Sequence, residues 1–135
     1  MSGSSKYLLG IDYGDKRVGL ALASNIAKIP SPYRTIENDS HLIEKILKII
    51  DDESVGTAVV GLPRSLDGSE TEQTRKTQVF ITELKQHFSA VEVQDEAGTS
   101  AAAKEELQAR NDDYTKEEVD ALAATYILED YLREL

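Results

Sequence analysis

Residues 7–24 constrain this chain more than any other stretch. Leu9-Gly10-Ile11-Asp12-Tyr13-Gly14 is an apolar strand that ends on a carboxylate, and Arg17-Val18-Gly19-Leu20-Ala21-Leu22-Ala23 is a second apolar strand running back. The turn between them, Tyr13-Gly14-Asp15-Lys16, is too short for a crossover, so the two strands form a hairpin. A strand end holds a charge rigidly. Asp12 at that end is well placed to bind a divalent cation or to face a phosphate. The plainer role is a turn Asp hydrogen-bonded near Gly14.

The rest of the chain extends the hairpin into a layered α/β domain. Ile29–Ile36 carries Pro30 and Pro32 and suits an edge strand. Ser40 opens a helix whose Leu42, Ile43, Ile46, Leu47 and Ile50 recur on one face. Residues 55–62 form a continuous apolar run, the pattern of a strand buried on both faces, with Pro63 expected to stop it. Residues 63–68 read as a loop. The spacing Ser69-Glu70-Thr71-Glu72 predicts a helix from about 70, with Thr77, Phe80, Ile81, Leu84 and Phe88 inward. Val91–Asp95 alternates as a strand. An Ala-rich helix over about 100–110 follows, broken by Asn111-Asp112-Asp113. Thr115-Lys116-Glu117-Glu118 is a second capping box, with Tyr114 and Val119 spaced as a hydrophobic staple, and opens a last helix to about Glu134. The order βββαβαβαα predicts a five-stranded mixed sheet, an antiparallel meander plus parallel strands, with helices on both faces.

At 135 residues and 40 % hydrophobic the chain fits one domain, read here as 7–135 behind a short polar tail, residues 1–6. It has no Cys, which excludes a disulfide framework and a thiolate zinc site and suits the cytoplasm. No apolar run nears the ~20 residues of a membrane helix, and Met1-Ser2-Gly3-Ser4-Ser5 lacks the apolar core of a signal peptide. The net charge of −10 is uneven: residues 1–67 carry 8 basic and 9 acidic side chains, residues 68–135 carry 7 and 16. A non-specific polyanion binder shows a basic face, so action on nucleic acid requires metals and a local Lys/Arg cluster.

Carboxylates stand at three places where chemistry can gather. Asp12 ends the first strand. Asp95-Glu96 ends the strand before a Gly98 turn; taken alone, such a pair is better read as solvated acids or as facing the next helix's dipole. Asp120 is the most telling. At 100° per residue, Ala123, Ala124, Ile127 and Tyr131 all lie within about 60° of it, so it heads the stripe facing the core. An unpaired charge there is expensive, although water and the helix dipole also reach a position so near the helix start. Clustered carboxylates repel, so convergence at one sheet rim demands a proton or a cation. All-oxygen donors favour Mg²⁺ or Mn²⁺. Two such ions can activate water and stabilise the leaving oxygen of a phosphodiester. That chemistry needs neither of the two histidines, His41 and His87, which read as surface residues.

Segments LLGIDYGDKRVGLALAS, VVGLPRSLDGSETEQT, VQDEAGTS and EEVDALAATYILEDYL resemble, in order and spacing, the YqgF-like family of the RNase H-like superfamily. The resemblance spans about residues 7–133. It implies an RNase H-like fold and a nuclease, described for the family as a Holliday junction resolvase or as an enzyme maturing the 5′ end of pre-16S rRNA. Carried across, the family's catalytic and metal-binding acids fall on Asp12, Glu96 and Asp120, with two Mg²⁺ or Mn²⁺ ions. Lys16, Arg17 and Arg64 fall near substrate phosphates, with ordinary surface charge as their plainer reading. The implied partners are pre-rRNA or branched DNA, with ribosome-assembly factors besides, and the implied state is a monomer or homodimer. One departure stands out. The family continues Asp-Glu with Arg-Leu, whereas this chain has Ala97-Gly98, and an Arg there binds phosphate or orients the acid.

Two other readings stay open on the residues alone. One is a catalytically weak relative that binds nucleic acid or an assembly partner. The other follows from the likeness of Gly10-Ile11-Asp12-Tyr13-Gly14 to the first phosphate loop of sugar kinases and actin-like ATPases, but those close two large lobes over ATP and this chain has room for one small lobe.

Overall fold

The computed structural model describes residues 6–97, 99–110 and 113–135, the side chains of 97 and 99–103 apart. The expected tail except Lys6, the Gly98 turn and Asn111-Asp112 lie outside the described residues. The elements are β1 (Tyr7–Tyr13), β2 (Arg17–Ser24), β3 (Ser31–Glu37), α1 (Leu42–Asp52), β4 (Val55–Arg64), α2 (Glu72–Lys85), β5 (Val91–Ala97), α3 (Thr99–Arg110) and α4 (Lys116–Arg133). They form one five-stranded sheet in the order β3-β2-β1-β4-β5. The β1–β2 and β2–β3 pairs are antiparallel, and the β1–β4 and β4–β5 pairs are parallel. The mixed sheet and the edge position of β3 are as the sequence predicts.

Alternation along the strands sorts side chains onto two faces. Leu9, Ile11, Val18, Leu20 and Val60 pack with Leu42, Ile46 and Ile49 of α1 and Phe80, Ile81 and Leu84 of α2. Tyr13 stacks on Phe80 with ring centroids 4.6 Å apart and closes this layer at the sheet rim. Leu8, Ala21, Ala23 and Val59 line the other face, under Ala124, Ile127 and Leu128 of α4. On that face Gly10, Gly19 and Gly61 lie directly beneath α4. A Cβ at Gly19 would lie 2.0 Å from the Asp120 carbonyl oxygen, and one at Gly61 would lie 2.5 Å from Ile127 Cδ1. The glycines let α4 sit directly on the strands.

Several element boundaries differ from expectation: β3 is Ser31–Glu37 rather than 29–36, and β5 runs past Asp95 to Ala97. Pro63 does not stop β4, which continues to Arg64 with Pro63 opposite Glu96. The β1 ladder on β4 ends at Val60, so beyond it β4 is paired on one side only, where a missing N–H is tolerated. Helix α2 starts two residues later than expected, because Thr71 rather than Ser69 is the cap. Its side chain accepts from the Thr74 N–H, and Thr74 reciprocates. Ser69 instead joins the preceding loop: Asp67 accepts from its N–H at 2.9 Å, and its hydroxyl meets Ser65 at 2.6 Å. Helix α1 begins at Leu42 with no side-chain cap from His41. The capping box Thr115/Glu118 opens α4 as expected.

Candidate active site

The site begins with strand alternation. Asp12 follows Leu8 and Gly10 on the α4 face of β1, and its register partner is Gly19. Because Gly19 has no side chain, the Asp120 backbone rests on it, one strand away from Asp12. Glu96 lies on the same face. Its Cγ is 3.6 Å from where a Gly61 Cβ would stand, so it leans over the strand between β5 and β1. Asp12, Glu96 and Asp120 are all buried, at 8, 6 and 5 % exposure.

Buried carboxylates require partners. The Lys104 ammonium of α3 lies 2.8 Å from Asp12 Oδ2 and 3.3 Å from Asp120 Oδ1. Arg17 Nε donates to Asp120 Oδ2 at 2.6 Å. Burial pulls the Lys104 ammonium down, but the Asp12 and Asp120 charges and hydrogen bonds outweigh it and hold its pKa above the ordinary lysine value. The hydrogen bond and the charge of Asp120 raise Arg17 likewise. Asp12 and Asp120 therefore meet around a cation supplied by the chain itself. As placed, no three acidic or histidine groups among the described residues assemble into a metal-holding cluster. The pair is brought together; Glu96 shares its face without closing a three-ligand set.

The cations expected near substrate are placed differently from one another. Lys16 is exposed on the β1–β2 turn, which is pinned by Asn38: its side chain donates to the Gly14 carbonyl at 2.7 Å and its N–H to that of Lys16 at 2.9 Å. Arg17 belongs to the acid cluster. Arg64 alternates onto the α1/α2 face with Leu62 and pairs with Asp95 at 3.1 Å and Glu70 at 3.8 Å. Asp95 is thus assigned to Arg64, and neither sits with Asp12. His41 and His87 are exposed, as expected.

Sequence reasoning passed over Lys104. A signal for it existed: Lys104 precedes Leu107 by three residues and so shares its helix face, and Leu107 is buried. A lysine on the inward face of a helix needs acids opposite it.

An oxygen-only donor set suits a hard cation such as Mg²⁺ or Mn²⁺. The Lys104 ammonium marks where Asp12 and Asp120 accept positive charge, so the residues fit such an ion provided that it takes the ammonium's place.

Comparison with known proteins adds a family and a fold. Residues 6–134 match the family model RuvX, described as Holliday junction resolvase. A Sulfurihydrogenibium protein named as a candidate pre-16S rRNA nuclease is 37 % identical over 131 residues, covering 95 % of this chain and 90 % of its own. A Maridesulfovibrio salexigens protein of the same name is 37 % identical over 130 residues, covering 93 % and 96 %. Among solved structures, T. thermophilus RuvC in complex with a Holliday junction substrate superposes with TM-score 0.58 at 16 % identity, covering 96 % of each chain. The Fowlpox virus resolvase in complex with Holliday junction DNA gives 0.55 at 10 %, covering 95 % and 97 %. At such identities these two likenesses show a shared fold.

Proposed function

We propose a function from the premise that this chain belongs to the RuvX family of Holliday junction resolvases: it is a metal-dependent endonuclease that hydrolyses phosphodiester bonds of structured nucleic acid, with the 5′ end of pre-16S rRNA as its substrate. The observation that carries the reading is the meeting of buried Asp12 and Asp120 around one cation, with Glu96 on the same sheet face.

In this reading Asp12 and Asp120 hold the metal, Glu96 completes its ligands, and the enzyme is of the two-metal-ion type. Mg²⁺ or Mn²⁺ held there supplies Lewis-acid polarisation of the phosphate and a more acidic bound water. The chain's own residues do the rest. The sheet rim fixes Asp12, the Gly19 contact fixes Asp120, and Arg17 orients the Asp120 carboxylate through one of its oxygens. Lys16 on the pinned turn offers a phosphate contact, and Arg64 offers one once it leaves Asp95.

The rRNA reading is favoured because the curated relatives at 37 % identity carry that name. The alternative is resolution of four-way junctions, which the family description and the shared fold support. A resolvase needs a dimer to place two symmetric cuts, while a single-cut RNA enzyme works as a monomer. A cleavage assay that offers both substrates, with Mn²⁺ or with chelator, decides between them alongside mass in solution. Wild type is expected to cut the rRNA end only with metal, and Asp12→Asn to cut neither substrate while melting cooperatively. Cutting by that variant in chelator contradicts the reading.

A further inference from the structure

We infer that Lys104 is an internal counter-cation that occupies the Asp12–Asp120 pair in the metal-free protein and competes with the divalent ion for it, so that this lysine sets the metal affinity of the site. The inference rests on the metal-dependent reading above and deepens it.

The position of α3 makes the competition possible. This helix lies against α4 and β5, the elements that carry Asp120 and Glu96. Leu107 anchors its inner face, and Lys104, one turn earlier, reaches both carboxylates. Two buried carboxylates at such range repel unless a positive charge stands between them. The ammonium supplies it and so lets the acids fold together before any metal arrives.

Arg17 and Lys104 play unequal parts. Arg17 is fixed on β2 and takes Asp120 Oδ2. Lys104 takes the remaining oxygen of Asp120 and one of Asp12. Lys104 withdraws its charge from those two oxygens when it leaves, while Arg17 keeps the Asp120 carboxylate oriented. Leaving requires no movement of a helix. The Lys104 side chain is 31 % exposed and its four-carbon stem is flexible, so rotation toward solvent clears the site. A divalent ion outcompetes a monovalent ammonium between two carboxylates, but its net affinity is lowered by the ion pairs it breaks.

This competition has a sign that a purely structural lysine would not produce. If Lys104 only shaped the site, removing its charge would loosen the acids and weaken metal binding. As a competitor, its removal tightens binding while the metal-free fold loses stability. The test is calorimetric titration of the full chain with Mn²⁺ alone, for wild type, Lys104→Met, Lys104→Gln, Lys104→Arg and Asp12→Asn, with melting curves in the absence and presence of Mn²⁺. Lys104→Met is expected to bind about tenfold tighter, the scale of one lost charged hydrogen bond. It is also expected to melt lower without metal and to gain more from Mn²⁺ than wild type. Lys104→Gln keeps a donor and falls between; Lys104→Arg stays near wild type. Equal or weaker binding by Lys104→Met and Lys104→Gln, with wild type binding and Asp12→Asn not, overturns the competition and leaves the metal site standing. Absence of Mn²⁺ binding in both wild type and Lys104→Met overturns the metal-dependent reading and this inference with it.

Discussion

Asp120 has a cation on each carboxylate oxygen, Arg17 on one and Lys104 on the other. Removing one cation leaves the other, so the cost is that of a charged hydrogen bond at a partly exposed site. Arg17→Met is expected to lose about 1–2 kcal/mol in urea unfolding, and a loss below a few tenths would mean that the pair does not hold Asp120. A different acid gives a pH signature. Asp67 accepts from the Ser65 hydroxyl and from Ser69, which holds its pKa down at about 2 against an ordinary 3.8. A depressed carboxylate stabilises the fold fully above its unfolded pKa and loses that contribution as pH falls through the folded one. Order in the 65–69 loop should therefore hold down to about pH 4 and be lost towards about pH 2. Amide exchange at Ser69 checks it, and in Asp67→Asn the protection should be low at every pH.

At the scale of elements, the start of α4 rests on the β1–β2 hairpin at Gly19 with no side chain between Gly19 and the Asp120 backbone. A Cβ at Gly19 meets backbone, the Asp120 carbonyl, which cannot rotate away; at Gly61 it meets the flexible end of Ile127. Gly19→Ala should cost about 2–3 kcal/mol and displace Asp120, and Gly61→Ala should cost less than about 1.5 kcal/mol. Paired denaturation curves test the order, and equal costs would show that α4 yields easily at its start. The same contacts explain what was legible in the sequence. Asp120 was visible because helical periodicity puts it in line with Ala123, Ala124 and Ile127, all buried. Asp12 was visible because a hairpin must end at its turn. The continuation of β4 through Pro63 was not, since it depends on β1 ending early, which is a property of the pairing and not of the segment. Lys104 was hidden because α3 is Ala-rich and shows little contrast between its faces. The split between Arg64 and Asp12 follows from strand alternation, but only once β4 is known to reach Arg64.

For the whole molecule the central tension is a net charge of −10 on a protein that acts on a polyanion. Most of that charge lies beyond residue 67; among the described residues the cations that contact the buried acids are Arg17 and Lys104, Lys16 is exposed on the adjoining turn, and Arg64 pairs with Asp95 on the other sheet face. Few phosphate contacts mean little counterion release. The slope of log affinity against log salt, measured on Asp12→Asn with a precursor rRNA fragment, should be shallower than about −3. A slope steeper than about −5 would reveal a basic face elsewhere on the surface. The fold gathers Asp12 and Asp120 around its own ammonium, which offsets their repulsion. The most direct measurement is therefore a crystal soaked in Mn²⁺ and examined for anomalous scattering. The account predicts a peak between Asp12 and Asp120, where the Lys104 ammonium now stands, with Lys104 turned out to solvent. Lys104 still bridging both carboxylates at saturating Mn²⁺, with no peak beside Asp12, would contradict it.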